Sequence, residues 1–285
     1  MNNQSVVACI DGSRSTPAVC DYAAWASKTL GAPLVLLHVL ELSHYPGSRN
    51  LSGNIGLGSR EYLLQELAEL DEKRAKLMRE QGRLMLDAAL ERARADGVAE
   101  PVSRQRHGDL VETLNELESE IRLLVIGRQG EEGDSIGQHV GSHLESVART
   151  MHRPVLVTAG EFRQPRRIML AFDNGPSTRK GIEMIAGSPL FVGLPIHLVM
   201  VGADTNDARE SLNEAKQRLT RAGFEVETVI RAGEVEKVLL DYEQENDIDL
   251  IIMGAYGHSR IRQFFVGSTT TQMLARTTRP LLLLR

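Results

Sequence analysis

Cysteine is scarce in this chain, and ordinary packing accounts for both cysteines that it has. Cys9 lies in an apolar run that is typical of a buried strand, and Cys20 lies in the helical segment that follows. A disulfide is unusual in a reducing compartment, and two cysteines alone make no metal site. We therefore expect two reduced thiols in the core.

The sequence has neither an excess of basic residues nor a long apolar run. Its net charge is -5 and its pI is about 5.9, whereas nucleic-acid binding needs concentrated Lys and Arg. The longest apolar stretch, residues 190–203, is interrupted by Gly, Pro and His and is too short to cross a bilayer. The first residues, MNNQSVVACIDGS, lack the charged and apolar regions of a secretory signal. We expect a cytoplasmic protein with no nucleic-acid partner and no membrane partner.

Familiar catalytic motifs are also missing. The sequence contains no GxSxG, no HExxH and no cysteine placed with a matching histidine, so no catalytic residue is predicted. His139 and His143 have a spacing that could hold zinc, with His152 as a third candidate. Because a helix is expected to begin near Gly141, His139 precedes that helix and no metal site is predicted.

The chain repeats itself once. VVACID at 6–11 returns as IMLAFD at 168–173, and PLVLLHVLE at 33–41 returns as PIHLVMVGA at 195–203. Both matches have the same offset, since 173 − 11 and 195 − 33 are each 162. Later matches have offsets of 127 and 126, so the first copy carries about 35 extra residues. We predict two domains, 1–160 and 161–285.

Each copy alternates short apolar runs with helical segments, which predicts an α/β fold with two tandem, doubly wound, parallel five-stranded sheets. The predicted strands are Val6–Ile10, Leu34–Leu40, Val102–Arg106, Leu123–Ile126, Val155–Thr158, Ile168–Phe172, Ile196–Val201, Val226–Ile230, Leu250–Met253 and Leu281–Leu284. Because exposed sheet edges seek partners, we expect the two fifth strands to pair and form an intramolecular pseudo-dimer. A homodimer of the whole chain stays open.

The extra residues of the first copy form an insertion at about 43–80. Its first part, Ser43–Ser59, is rich in Gly, Ser and Asn and is predicted to be a mobile loop. This loop is either a lid over the first copy's site or a plain connector. Glu61–Ala95 is predicted to form one long helix or two consecutive ones, interrupted only by Gly82.

A glycine-rich loop follows the fourth strand of the second copy. Gly254 and Gly257 allow a sharp turn and a close backbone approach to a ligand. After nine intervening residues, Gly267 and Ser268 open a helix, whose free N–H groups and dipole attract phosphate. Thr269 adds a hydroxyl. No Walker lysine is present. The pattern therefore predicts a phosphate-binding loop.

An aspartate ends the first strand of each copy, Asp11 in the first and Asp173 in the second. In a doubly wound sheet, ligands bind beyond the carboxyl ends of the strands, where the winding direction reverses. A carboxylate there could accept a hydrogen bond from an adenine amino group or a ribose hydroxyl. The alternative is that each aspartate only caps the following helix.

These residues resemble the universal stress protein family over essentially the whole chain, twice over. The family's loop of Gly, two residues, Gly, nine residues, Gly and Ser or Thr matches this sequence at 254–268. The resemblance implies an adenine nucleotide alpha hydrolase-like fold and binding of ATP, ADP or AMP, with Mg²⁺ as an optional companion. It also implies that adenosine meets Asp173 and Val201, while ribose and phosphates meet the loop and helix start. The implied nucleotide-binding residues are Asp173, Val201, Gly254, Gly257, Gly267, Ser268 and Thr269.

The first copy departs from this pattern, so it is expected to be the weaker site. Ten residues instead of nine separate Gly130 from Gly141, and three of them are the acidic Glu131, Glu132 and Asp134. His143 follows Ser142. The residues of the weaker site are Asp11, Val39, Gly127, Gly130, Gly141 and Ser142.

The sequence thus favours a nucleotide-binding stress-response regulator or protective factor with little or no turnover. One alternative is a nucleotide-independent interaction scaffold that uses the long insertion helix. A second is a carrier of a small apolar ligand, and a third is a slow ATPase or an enzyme that phosphorylates itself at Ser268. His38 is interpreted as a core histidine whose hydrogen bonds are satisfied.

Overall fold

The computed structural model describes residues 4–41, 57–128, 142–255 and 268–285. The predicted loop Ser43–Ser59 lies outside these ranges except for its last three residues. Residues 57–59 are helical, so the insertion helix begins four residues earlier than predicted. The mobility of the rest of that loop stays a prediction.

The first copy has five strands and four helices among the described residues. Its strands are β1 (Ser5–Cys9), β2 (Leu34–Leu40), β3 (Val102–His107), β4 (Ile121–Gly127) and β5 (Val155–Thr158). Its helices are α1 (Thr16–Leu30), α2 (Leu57–Ala95), α3 (Leu110–Leu117) and α4 (Ser142–Thr150). The helix predicted to run through Glu120 ends at Leu117, and a 3₁₀ turn, Glu118–Glu120, continues it.

The second copy repeats this order within the described ranges. Its strands are β6 (Ile168–Ala171), β7 (Ile196–Val201), β8 (Val226–Arg231), β9 (Leu250–Gly254) and β10 (Leu281–Leu284). Its helices are α5 (Pro176–Gly187), α6 (Asn206–Arg221), α7 (Val235–Glu245) and α8 (Ser268–Arg276). The predicted domain boundary at 160/161 falls in the connection between β5 and β6, and it stays a prediction.

The two predicted sheets are joined into one continuous sheet of ten strands in the order β3-β2-β1-β4-β5-β10-β9-β6-β7-β8. Neighbouring strands within each copy are parallel, as predicted, and the central pair β5–β10 is antiparallel. In the central ladder, Leu156 lies opposite Leu282. A pseudo-twofold axis therefore passes between these two leucines, and the predicted pseudo-dimer of a tandem α/β chain is confirmed.

Helices cover both faces of the sheet, and each layer runs across both copies. One apolar core packs α1, α2, α5 and α6 against the sheet, and the other packs α3, α4, α7 and α8 against its opposite face. The central strands are covered on both faces and are therefore mostly apolar, whereas the edge strands β3 and β8 carry polar residues. No helix in the described part of the chain is both long and apolar enough to cross a membrane.

Helix α2 packs closely on the sheet at Gly82. A Cβ at this position would lie 2.6 Å from Cδ2 of His38 and 2.3 Å from Nε2 of Gln105. The glycine that interrupts the helical pattern thus permits close contact with β2 and β3. The ring of His38 is buried, its Nδ1 donates to the carbonyl oxygen of Ile10 at 2.7 Å, and its Nε2 has no hydrogen-bond partner. The interpretation of His38 as a satisfied core histidine holds for one of its two ring nitrogens.

Both cysteines are free thiols in the core, as predicted. Burial, with a smaller effect of the Asp11 charge, raises the pKa of Cys9 from 9.0 to about 12. Burial is also the main reason why the pKa of Cys20 rises from 9.0 to about 12. The two thiols therefore stay protonated throughout the neutral range.

The central ladder predicts a matched pair of stability losses. Leu156 and Leu282 are each 1% exposed, so Leu156→Ala and Leu282→Ala should each lower the free energy of unfolding by about 2–5 kcal/mol. Urea denaturation measures the change. Val192→Ala is the control, because Val192 is 74% exposed. This substitution should change the free energy of unfolding by less than about 0.5 kcal/mol. Losses near the control value at both leucines would contradict the ladder.

The buried thiols predict slow thiol chemistry in the folded protein. At pH 8, a chromogenic disulfide reagent should leave both Cys9 and Cys20 unmodified until the chain is denatured, when both should react. Because their folded pKa lies above the unfolded value, the thiols also favour folding below about pH 9, and this contribution is lost as the pH rises towards 12. Fast reaction of either thiol in the native protein would be evidence against its burial.

Candidate functional site

The winding direction of the sheet reverses once in each copy. Strand β1 lies between β2 and β4, and β6 lies between β7 and β9. In a sheet of this kind, a crevice opens beyond the carboxyl ends of the two strands at the reversal. Asp11 and Gly127 lie at those ends in the first copy, and Asp173 and Gly254 lie there in the second. The structure thus brings each predicted aspartate to the same crevice as the first glycine of its loop.

Asp173 is held by its own turn. Its Oδ1 accepts hydrogen bonds from the backbone N–H of Gly175 at 2.8 Å and from the hydroxyl of Thr178 at 2.7 Å. The N-cap of α5 is Gly175 rather than Asp173. The alternative in which the aspartate caps the helix is therefore wrong in its detail, because the carboxylate fixes the turn that precedes the helix.

Asp11 has the same contacts. Its Oδ1 accepts from the backbone N–H of Ser13 at 3.0 Å and from the hydroxyl of Thr16 at 3.1 Å. The N-cap of α1 is Ser15. In both copies the partner threonine follows the aspartate by five residues, and this repeated spacing is a sequence signal from which the contact could have been predicted.

The two turns also share one backbone conformation despite different sequences. Gly12 has a φ of 76°, and Asn174, at the equivalent position, has a φ of 60°. Asparagine is among the few side chains that tolerate this left-handed region. Asn174 is further fixed by Nε of Arg179, which donates to its Oδ1 at 2.9 Å. The altered sequence of the second turn therefore leaves the position of Asp173 unchanged relative to its strand.

Gly254 packs directly against the residues that hold Asp173. A Cβ on Gly254 would lie 3.2 Å from Cβ of Ser177 and 3.2 Å from Cγ2 of Thr178. Since Thr178 donates to Asp173, a side chain at Gly254 would crowd the threonine that orients the carboxylate. The glycine thus serves the aspartate turn as well as its own loop.

The rest of each loop is described only at its helix. Gly257, Gly267, Gly130 and Gly141 lie outside the described residues. Helices α8 and α4 begin at Ser268 and Ser142, where the sequence predicted their starts.

Three further predicted residues have described side chains. Thr269 is half-buried in the first turn of α8. Val39, the last residue but one of β2, and Val201, the last residue of β7, are partly buried against the core layer that contains α4 and α8.

The first copy has an additional contact across its crevice. Nε2 of His143, in the first turn of α4, lies 3.3 Å from Oε2 of Glu41, which directly follows β2. Oε1 of Glu41 accepts from the backbone N–H of Leu110 at the start of α3, at 3.2 Å. The equivalent positions in the second copy are Ala203 and Thr269. Sequence reasoning noted His143 but missed Glu41, because the two residues are 102 positions apart in the chain (143 − 41).

The basic residue next to Gly127 contacts the second copy. Nη1 of Arg128 donates to the carbonyl oxygen of Thr277 in the second copy at 2.5 Å. Burial lowers the pKa of Arg128. The strand end that carries Gly127 therefore uses its adjacent cation to hold the two copies together.

Two of the three histidines considered as zinc ligands have separate carboxylate neighbours, and His139 lies outside the described residues. His143 faces Glu41, and Nδ1 of His152 lies 3.4 Å from Oε2 of Glu118. Among the described residues, no group of three or more His, Cys, Asp or Glu side chains is arranged to hold a metal ion.

Comparison with known proteins adds a family relationship to this geometry. The sequence profile of the Universal stress protein family matches residues 2–159 and 196–285. Universal stress protein Slr1230 of Synechocystis is 34% identical over 286 residues, which cover 99% of this chain and 100% of the relative.

Two solved structures share the fold over nearly the full length. A universal stress protein of Archaeoglobus fulgidus has a TM-score of 0.68 at 18% identity, covering 99% of this chain and 96% of that one. The Pseudomonas aeruginosa protein PA1789 has a TM-score of 0.62 at 14% identity, covering 99% and 92%.

Proposed function

The chain belongs to the universal stress protein family, and on that premise we propose that it is a stress-response regulator or protective factor that binds an adenine nucleotide. The nucleotide is ATP, ADP or AMP, it is bound mainly by the second copy, and it is turned over slowly or not at all. Mg²⁺ can accompany the phosphates, whose oxygens are ligands of the kind it prefers.

The observation that carries this proposal is the pair of strand ends at the reversal of the second copy. Asp173 lies two residues beyond the end of β6, Gly254 ends the adjacent strand β9, and Thr178 lies against both residues. A carboxylate and a glycine without a Cβ thereby lie side by side at the place where α/β sheets bind ligands. Asp173 is exposed, and neither of its two turn contacts uses Oδ2. We propose that this oxygen accepts from the adenosine, beside Val201.

The phosphate end is proposed to lie against the start of α8. The ribose and phosphates would meet Gly254, Gly257, Gly267, Ser268 and Thr269, with the backbone N–H groups of the first helical turn as donors. The first turn of α8 contains no acidic residue, whereas the first turn of α4 contains Glu145. Since a negative charge there competes with phosphate for the helix dipole, this difference favours the second copy.

The Glu41–His143 contact is the second reason for the preference. It joins the carboxyl end of β2 to the first turn of α4 and places a carboxylate beside the helix start that would receive phosphate. The second copy has Ala203 and Thr269 at these positions, so its equivalent space holds neither side chain. We propose that Asp11, Val39, Gly127, Gly130, Gly141 and Ser142 form a weaker site for this reason.

Nucleotide titration of matched loop variants tests the preference between copies. The second copy should bind ATP at least ten times more tightly than the first, a difference of about 1.4 kcal/mol. In calorimetric titration, Gly257→Glu should therefore remove the tighter binding event, because it adds bulk and negative charge to the phosphate loop.

Gly130→Glu is the matched control in the first copy and should leave the tighter event unchanged. Retained tight binding in Gly257→Glu together with its loss in Gly130→Glu would show that the first copy is the main site. No binding of ATP, ADP or AMP by the wild-type chain would overturn the proposal as a whole.

Opening the first copy should raise its affinity. In a Gly257→Glu background, we expect Glu41→Ala combined with His143→Thr to tighten binding by the first copy at least tenfold, about 1.4 kcal/mol. The reason is that these substitutions install the residues of the second copy and remove the carboxylate from the helix start.

The control for this variant is its thermal unfolding, because Glu41 also accepts from the N–H of Leu110. A folded variant with unchanged affinity would show that the Glu41–His143 contact does not limit the first site. Binding by the second copy, measured without Gly257→Glu, should be the same with and without the two substitutions.

A further inference from the structure

The N-terminal half of α2 has no buried residue among its described side chains. Every residue from Gln65 to Arg74 is exposed, and the buried residues of the helix begin only at Gly82 and continue with Leu86, Ala89 and Ala93. At 1.5 Å per residue, the stretch 57–74 is about 27 Å long. In proteins, most helical stability comes from a packed face rather than from propensity. A partner surface would therefore stabilise this stretch.

An exposed leucine stripe runs along this helix. Leu70, Leu77 and Leu84 follow one another at intervals of seven residues and are 60%, 70% and 56% exposed. Leu67, beside the stripe, is 37% exposed. Leu84 lies two residues from Gly82, and at 3.6 residues per turn this spacing places the stripe on the opposite side from the face that packs on the sheet. Leucines seven residues apart fall on one face of a helix and supply one of the two apolar positions per heptad with which helices pair.

Two consecutive segments of this helix carry opposite charge, and we call them its acidic half and its basic half. Residues 65–72 contain four acidic and no basic residues, a net charge of 0 − 4 = −4. Residues 73–83 contain five basic residues and one acidic residue, a net charge of 5 − 1 = +4. The acidic residues are Glu66, Glu69, Asp71 and Glu72, and the basic ones are Lys73, Arg74, Lys76, Arg79 and Arg83. The helix is therefore complementary to an inverted copy of itself.

We propose that two copies of this chain dimerise through α2, with the two helices antiparallel and the leucine stripes facing each other. When Leu70 of one chain faces Leu77 of the other, the acidic half of each helix lies beside the basic half of its partner. A parallel pair would instead place like charges side by side. The contact is isologous, so it closes as a dimer. It does not depend on nucleotide binding.

The first experiment measures the mass of the full chain by sedimentation and light scattering. The wild-type chain should be a dimer in the micromolar range, and Leu70→Glu with Leu77→Glu should be a monomer with unchanged unfolding of the α/β core. Val192→Glu, at another exposed apolar residue, is the matched control and should remain a dimer. A wild-type monomer across this range, or a leucine variant that stays dimeric, would overturn the proposal.

A charge exchange tests the pairing itself. Glu66→Lys, Glu69→Lys and Glu72→Lys make both halves basic, while Lys73→Glu, Lys76→Glu and Arg79→Glu make both halves acidic. Each triple variant should be monomeric alone, and an equimolar mixture should form heterodimers. A mixture that stays monomeric, or a triple variant that dimerises alone, would rule out complementary charge as the basis of assembly.

Cross-linking determines the direction of the helices. The proposed axis passes between residues 73 and 74, so Lys73→Cys should cross-link to itself across the dimer with a short bismaleimide. Glu66→Cys should not, because an antiparallel pair separates the two copies of that position. Equal cross-linking of both variants would indicate a parallel pair and contradict the proposal. The buried Cys9 and Cys20 leave the background low.

Discussion

The antiparallel pairing of β5 with β10 is the contact on which the architecture depends. It turns two five-stranded sheets into one and lets each helical layer run across both copies. Two arginines reinforce it, since Arg128 donates to Thr277 of the second copy and Arg285 donates to Ala148 of the first. Because the central strands run in opposite directions, the two crevices open at opposite edges of the sheet. Each crevice is therefore formed by its own copy, and the two can diverge independently.

Among the described residues of the crevices, the divergence lies in side chains rather than in the backbone of the aspartate turns. Asn174 takes the left-handed conformation that Gly12 has in the first copy, so the aspartate turns match. The first copy instead has Glu41 and His143 in contact across its crevice. A duplicated domain that no longer needs two equal sites can weaken one through side-chain changes at its crevice and still retain its contribution to the shared core. The asymmetry proposed for nucleotide binding has this physical basis.

Helix α2 serves two surfaces that make different demands on its sequence. One side must be small at Gly82 to pass close to the ring of His38, while the other carries Leu77 and Leu84 towards solvent. The first demand is met within the chain. The apolar stripe on the exposed side is explained by the proposed contact with α2 of a second copy. The insertion thus adds an interaction surface at the edge of the sheet without altering the order of its strands.

The sequence by itself determined the elements, because strand and helix patterns are local. Local strand patterns predicted all ten strands, Leu34–Leu40 to the residue, and the exposed edge of each fifth strand predicted the pairing of the two copies. The sequence also predicted that each aspartate lies at the same crevice as its glycine, since parallel strands end at the same edge of a sheet. Only the tertiary structure decided the contact of Gly82 with His38 and that of Glu41 with His143. These residues are far apart in the chain, and their proximity depends on how helices are packed onto the sheet, which no local pattern encodes.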